Sequence, residues 1–334
     1  MALLFMDGFD AGDMAAKWTI ISSATITSST TTPYGAGRSL ELNSSGELVR
    51  PITPSAQITV GVAYQPAASG SDMELSFWAD NGATEHIRVS RNTASGRLEA
   101  LRAGTLLATG TTTLSTGTWY YIEVQGTVAD SGGTIKVRLN GASTNDIDFT
   151  GDTKNGGTNT AMDAVRIKNI GSNINRFDNL YVLNSTGTTN TTFLGAMRIH
   201  TLAPSGNGVS SQFTGSDGNQ TDNYQLVDEL PFSASDYVAS STSGQRDTYA
   251  LDNLPVGFHQ ITALQSNVVA LKNTAGAVAL KPALRSNSTV YYGSSRPLGT
   301  NSQTYSDIFE ASLATTLAWT SAEINYLEGG MEIS

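Results

Sequence analysis

The sequence predicts an all-β fold, an antiparallel β-sandwich, and three observations carry that prediction. In residues 135–139, Ile135, Val137 and Leu139 fall on one side and Lys136 and Arg138 on the other. A period of two belongs to a strand with one buried and one wet face. Residues 119–124 repeat the pattern, with Tyr120, Ile122 and Val124 sharing a face and Glu123 and Gln125 opposite. Between the two runs, Ala129-Asp130-Ser131-Gly132-Gly133 is polar and glycine-rich, as a hairpin loop requires, and Asn140-Gly141 supplies the next turn.

The remaining elements follow in order. Residues 3–5 read as a first strand, Asp7-Gly8-Phe9-Asp10 as a turn and 18–21 as a second strand. A Ser/Thr-rich stretch at 22–32 leads to the turn Pro33-Tyr34-Gly35-Ala36-Gly37 and a short strand at 39–42. Ile58, Val60, Val62 and Tyr64 alternate along the next strand, and Met73, Leu75, Phe77 and Ala79 along its successor, which turns at Asp80-Asn81-Gly82. Strands at 87–89, 98–100 and 105–107 complete a meander before Trp119. After Leu139 come 147–149, a long polar loop at 151–160, then 165–167 and a closing strand at 177–183. Turn residues recur about every ten positions, the spacing of a sandwich, and no helix-period stretch of useful length interrupts residues 1–183.

At 334 residues the chain is too long for one small sandwich, so two domains are expected. Residues 184–192 (NSTGTTNTT) hold no apolar side chain and read as a linker between a domain at 1–183 and a second, smaller, mainly-β domain at 193–334. In the second domain strands are expected near 197–202, 224–227, 249–251, 260–270, 277–280 and 289–292. Near its end Thr320-Ser321-Ala322-Glu323 fits a capping box ahead of a short helix, with Ile324 and Leu327 on the apolar side, Gly329 as its stop and 331–333 as a last strand.

Charged residues make up only 14% of the chain, against a usual quarter or so, and the net charge is −10. A surface of Ser, Thr, Asn and Gly follows, and a nucleic-acid partner, which needs clustered Lys and Arg, is not expected. Nor is membrane insertion, since no apolar run reaches the length of a transmembrane helix. The opening Met1-Ala2-Leu3-Leu4-Phe5-Met6-Asp7 lacks a basic region and is short for a signal peptide. With no cysteine present, the expectation is synthesis and assembly in a reducing cytoplasm.

Five pieces appear in a characteristic order: Asp7-Gly8-Phe9-Asp10, Gly37-Arg38-Ser39-Leu40-Glu41-Leu42, Gly117-Thr118-Trp119-Tyr120-Tyr121-Ile122-Glu123-Val124, Val137-Arg138-Leu139-Asn140-Gly141 and Phe177-Asp178-Asn179-Leu180-Tyr181-Val182. Together they resemble the concanavalin A-like (laminin G-like) jelly-roll family, which implies that first and last strands pair as neighbours. In the second half, Asp228-Glu229-Leu230-Pro231, Asp236-Tyr237-Val238, Gly244-Gln245-Arg246-Asp247-Thr248-Tyr249, Asp252-Asn253-Leu254-Pro255 and the closing Ala318-Trp319-Thr320…Gly330-Met331 are similar to a module of tailed-bacteriophage virion proteins. That resemblance implies a tail, tail-tip or particle-decoration component, located in the virion, with other virion proteins as partners.

Catalysis by a jelly-roll glucanase needs carboxylates paired across the scissile bond, on one strand as Glu-x-Asp-x-x-Glu, and no such run exists. Glu41, Glu74, Glu85, Glu99 and Glu123 are single strand acids that solvated positions explain. His86, His200 and His259 lie far apart, without metal or triad spacing, and read as surface or half-buried residues. Calcium is the best of the weak metal readings. The loop Asp217-Gly218-Asn219-Gln220-Thr221-Asp222-Asn223 offers clustered oxygens, and Asp7, Asp10 and Asp178 converge if the outer strands pair. The favoured reading is that these are Asx-type turn residues and that the chain carries no cofactor.

Glycan recognition is the live functional alternative, since it uses an aromatic platform beside polar donors. Trp18, Trp78, Trp119, Tyr34 and Tyr64 are the candidates, Trp78 and Trp119 being expected in the core. Tyr291, Tyr292 and Trp319 raise the same question in the second domain, with core or subunit interface as the plainer answer. The expected function is a non-enzymatic, homo-oligomeric virion structural protein displaying a lectin-like sandwich. The alternatives are a host-surface glycan-binding adhesin and a polysaccharide-cleaving enzyme.

Overall fold

The computed structural model describes residues 2–12, 14–27, 31–35, 37–67, 71–257 and 260–334. It divides the chain into two compact units, Met1–Asp10 with Trp18–Ile199, and Ala11–Lys17 with His200–Ser334. Both units are built almost wholly of antiparallel strands, as expected.

Unit 1 holds thirteen strands: β1 (Leu3–Asp7), β2 (Thr19–Thr27), β3 (Ser39–Ser55), β4 (Gln57–Gln65), β5 (Ser71–Ala79), β6 (Thr84–Arg91), β7 (Arg97–Arg102), β8 (Thr105–Thr113), β9 (Tyr120–Thr127), β10 (Gly133–Leu139), β11 (Ile147–Gly151), β12 (Met162–Gly171) and β13 (Asn175–Asn184). They run in the order β11-β10-β9-β4-β13-β3-β12-β5-β6-β7-β8, with β1 added on β13 and β2 on β3. The first and last strands are therefore neighbours, as the jelly-roll resemblance implies.

The sequence suggests only a short strand at 39–42, but β3 runs for 17 residues. Its early part pairs with β13 and its later part with β12, so one strand serves both layers of the sandwich. Ser45, in the left-handed region at φ 66°, lies between the two parts. The layers face each other across a filled interior. Ile58, Val60 and Val62 of β4 and Ile122 and Val124 of β9 come from one side, and Leu75 and Phe77 of β5 and Ile87 and Val89 of β6 from the other. Gly126 of β9 marks the contact: a Cβ there would meet Phe77 and Ile87 within 3.0 Å. An interior this close-packed tolerates no extra methyl without rearrangement.

The expected β9–β10 hairpin forms, with Val124 opposite Val137 and Glu123 opposite Arg138. One expectation fails here. Glu123 and Gln125 are buried rather than solvated, because residues 192–199 lie over the outer face of this layer. Leu194 N–H donates to the Tyr181 hydroxyl (3.2 Å), Gly195 N–H to Glu123 Oε1 (2.9 Å) and Ile199 N–H to Asn179 Oδ1 (2.6 Å). Residues 197–202 form no strand. The Ile199 amide is spent on the Asn179 side chain instead of on a neighbouring strand, and unit 1 runs on to Ile199.

Unit 2 contains the one-turn helix α1 (Met14–Lys17), then β14 (Pro204–Ser211), β15 (Thr214–Gly215), β16 (Val238–Ala239), β17 (Arg246–Leu251), β18 (Leu264–Ala270), β19 (Ala279–Ser286), β20 (Thr289–Tyr292), β21 (Arg296–Pro297), β22 (Gln303–Phe309), α2 (Ser321–Ile324) and β23 (Glu328–Ile333). Its main sheet runs β14-β17-β23-β19-β20, with β21 on β19, and β18 pairs separately with β22. The cap of α2 is as expected: the Thr320 side chain accepts from Glu323 N–H, and Ile324 and Leu327 are buried beside Trp319 and Leu284. Gly329 does not stop the helix. It lies within β23, beside Leu251. Residues 224–227 are not a strand either; Asn223–Leu226 form a 3-10 turn, because the buried Asn223 amide is tied to Phe213 O and Asp247.

Candidate functional site

Alternation along the strands decides what the open face of the second layer carries. On β5 the inward residues are Met73, Leu75 and Phe77, which leaves Glu74, Ser76 and Trp78 pointing out. The neighbouring register sets Lys168 opposite Glu74 and Arg166 opposite Ser76 on β12, and Arg88 opposite Ser76 on β6. Glu47 of β3 lies opposite Lys168. A register shift between Phe77 and Trp78 swings Glu85 to the same face, opposite Trp78.

These side chains are locked to one another. Arg88 reaches Glu74 at 2.6 Å and takes Glu85 in a two-pronged grip, Nε to Oε1 at 2.9 Å and Nη2 to Oε2 at 3.0 Å. Arg166 reaches Glu47 at 3.0 Å, donates to Gly82 O at 2.5 Å and lies 3.6 Å above the Trp78 ring. Trp78 Nε1–H donates to Ser76 Oγ at 2.7 Å. The three carboxylates are nearly buried, whereas the two arginine side chains remain about a quarter exposed, at 26% and 23%. Paired, fork-shaped contacts of this kind fix geometry more than they stabilise. The Arg166–Trp78 stack adds roughly 0.5–2 kcal/mol.

Burial pushes the Glu74 carboxyl up, with Arg88 working against it and Glu85 with it. Burial works to lower the Arg88 pKa, but the hydrogen bonds it donates to Glu85 and the charge of Glu74 outweigh it and hold the guanidinium firmly protonated. The result is a row of fixed acceptors and donors beside an aromatic ring, in a chain that is otherwise poor in charge. Sugar hydroxyls, each both donor and acceptor, match such a row.

Most of this face escaped sequence reasoning. Glu74 and Glu85 appeared only as single solvated acids, and Arg88, Arg166, Lys168 and Glu47 did not register. The usable signal was Arg166-Ile167-Lys168 and Glu85…Arg88, charges on alternating strand positions in a sequence with few charges. Trp78 is half-buried beneath Arg166 and not in the core, while Trp119 is half-buried and lies just before β9. Tyr64 is core, stacked on Phe177. Trp18 is buried too, between Phe5 and Phe9, its Nε1–H on Asp7 Oδ2 at 2.8 Å. Tyr34 is exposed, with the Arg198 guanidinium 4.9 Å from its ring. In unit 2 Trp319 is core, whereas Tyr292 is exposed and bonded to Arg246 and Glu332.

Glu123 is the clearest correction among the acids. It is 1% exposed and bonded to the Tyr181 hydroxyl and Gly195 N–H. His86 is fully buried rather than at the surface, its Nδ1 accepting from Asn155 N–H at 3.0 Å. His200 is exposed, and His259 lies outside the described residues.

The structure does bring Asp7, Asp10 and Asp178 into one electrostatic neighbourhood. Burial first, then the charges of Asp10 and Asp7, push the Asp178 carboxyl up to about 8. Each of these acids is also used locally. Asp7 Oδ1 accepts from Phe9 N–H, Asp10 Oδ1 from Arg38 N–H and Asp178 Oδ1 from Asn179 N–H. In the second loop Asp217 accepts from the Asn219 main chain and amide, Asn219 Oδ1 from Thr221 N–H, and Asp222 from Asn207. Among the described residues, no three His, Asp or Glu side chains gather in a way that could hold a metal ion.

No protein-family model and no curated protein matches the chain. Among solved structures, a sialidase is similar at a TM-score of 0.40 and 12% identity, over 54% of this chain and 18% of its own length. A protein of unknown function with a galectin-like fold from Bacillus subtilis is similar at 0.38 and 14%, over 55% of this chain and 96% of its own. A carbohydrate-binding module from the same bacterium follows at 0.34 and 12%, over 52% and 98%.

Proposed function

We propose that unit 1 is a carbohydrate-binding module and that the outer face of β3, β12, β5 and β6 is where the glycan lies. The observation that carries this is the interlocked row of Glu47, Arg166, Trp78, Glu74, Arg88 and Glu85. Carboxylates already satisfied by guanidinium groups keep spare lone pairs for hydroxyls, and the strand spacing of about 4.8 Å sets them at intervals suited to a sugar ring. The setting we propose is a virion, in which unit 2 holds the protein to its neighbours or to further copies of itself and the glycan belongs to a host surface. Several copies in one particle would raise a weak contact to a useful avidity.

A glycan array probed with the full chain, followed by calorimetry on any hit, tests the first part. Binding that is lost in Arg88→Ala and weakened in Trp78→Ala supports it. An array without hits, or hits that both variants retain, removes it. Light scattering tests the copies, and a monomer at micromolar concentration counts against self-assembly. A hydrolytic reading draws on the raised Glu74 carboxyl beside Glu85; new reducing ends in host polysaccharide treated with the protein would favour it instead.

A further inference from the structure

We propose that His86 is an acid-sensitive clasp that holds the 151–161 loop against unit 1 at neutral pH and releases it when the imidazole takes up a proton. The inference starts from one bond. Asn155 N–H donates to His86 Nδ1 at 3.0 Å, so that nitrogen carries a lone pair and the ring is neutral. A protonated imidazole has a hydrogen on both nitrogens and would point N–H at N–H. The bond holding the loop and the charged ring are mutually exclusive.

On balance the surroundings favour the neutral ring, because burial outweighs the nearby Asp80 charge and the hydrogen-bonding contact with the Asn159 main chain. The side chain is completely buried, and its Nε2 makes no hydrogen bond among the described residues. Burial holds the His86 pKa below the ordinary histidine value. Asp80, from the turn between β5 and β6, and the Asn159 main chain favour the charged form, and Lys154, from the loop itself, opposes it. Lys154 is in turn paired with Asp130 at 2.9 Å, and Asp152 with Arg102 from β7. A group whose folded pKa is depressed contributes its stabilisation above its released value of about 6.5 and loses it as the pH falls.

The clasp connects to the face described above. Asn159 Nδ2 donates to Asp80 Oδ1 at 3.0 Å, and Asp163 accepts from Asn81 N–H and Gly82 N–H. Gly82 O in turn accepts from Arg166, the residue stacked on Trp78. Loss of the loop removes the Asn159 support of that turn. Any consequence for glycan affinity rests on the proposed function; release of the loop does not.

Hydrogen–deuterium exchange of the full chain between pH 5 and 8, with rates divided by the intrinsic rate at each pH, reads the loop directly. Protection of peptides covering 151–161 is expected to fall about tenfold per pH unit below the released pKa, while β4 and β9 stay protected. In His86→Asn, whose amide oxygen can take the acceptor place of Nδ1 without titrating, the loop is expected to lose its pH dependence. Protection independent of pH in the unmodified protein, or the same dependence in His86→Asn, overturns the proposal. Should the variant not fold, nitrogen spectra of the unmodified ring decide. The Nε2–H form at pH 7.5, giving way to the charged ring together with loss of the Asn155 amide, supports the clasp; a charged ring with that amide still protected refutes it.

Discussion

Replacing Asp247 with asparagine is expected to cost unit 2 a large part of its stability, even though the change is a single atom in size. Asp247 sits in β17 with no exposed surface and accepts four hydrogen bonds. Gln212 N–H (2.5 Å) and Phe213 N–H (2.8 Å) reach Oδ1, and Asn223 Nδ2 (2.7 Å) and the Tyr249 hydroxyl (3.0 Å) reach Oδ2. The carboxylate thus ties the start of β15, the 3-10 turn and β17 together. An amide keeps one acceptor oxygen and turns the other into an NH2 that faces two donors. Two buried donors lose their partner at about 1–3 kcal/mol each, and the remaining pair loses its charge assistance, for a total of roughly 3–5 kcal/mol. For a unit of this size that is a fall of about 10–15 °C in midpoint. Calorimetry and circular dichroism melts of the full chain would measure it, with Asn223→Ala as a partial version. A midpoint within about 3 °C of the unmodified protein would mean that the four bonds do not carry what their geometry suggests, and the account of unit 2 would fail.

Asp178→Asn should remove a pH dependence. Because the folded carboxyl is pushed up to about 8, the folded state keeps a proton that the unfolded chain releases. Its stabilisation is complete below the unfolded value near 3.9 and is lost as the pH rises toward 8, at up to about 1.4 kcal/mol per unit. Urea titrations at pH 5 and 8 should show the unmodified protein losing stability and the variant losing less. Gly61→Ala should destabilise unit 1 by about 1–3 kcal/mol, since the new methyl would overlap the Tyr181 ring and push it off Glu123 and Leu194; an unchanged urea midpoint contradicts this. A chain truncated after Leu183 should be less stable than one truncated after Ile199 by about 3–5 kcal/mol, the worth of the three strap bonds and the Arg138–Phe193 stack. Equal melts would show that the strap adds nothing.

Where a local rule governs the outcome, the fold was legible. Alternation placed Ile122 and Val124 against the interior, and the Thr320…Glu323 spacing placed the cap of α2. Where the outcome depends on a segment distant in sequence, it was not. Glu123 looks solvated from its own strand, and only residues 192–199 make it buried. The extent of β3 likewise depends on two partners, β13 and β12, that lie more than a hundred residues on. The candidate face shows the same limit. Glu74 and Glu85 were visible only as single acids, and their meeting with Arg88 and Arg166 is a matter of register between β12, β5 and β6, which no single strand encodes.

Residues 11–17 belong to unit 2, where α1 packs against β22, although the chain on both sides of them builds unit 1. In order of synthesis this segment precedes β22 by nearly three hundred residues, and β1 similarly waits for β13. Unit 1 cannot close before β13 is made, and unit 2 cannot seat α1 until β22 near the end of the chain is made, so both rely on long-range closure, which is slow. For the same reason, a deletion or a bulky tag near the amino terminus should injure both halves of the protein at once.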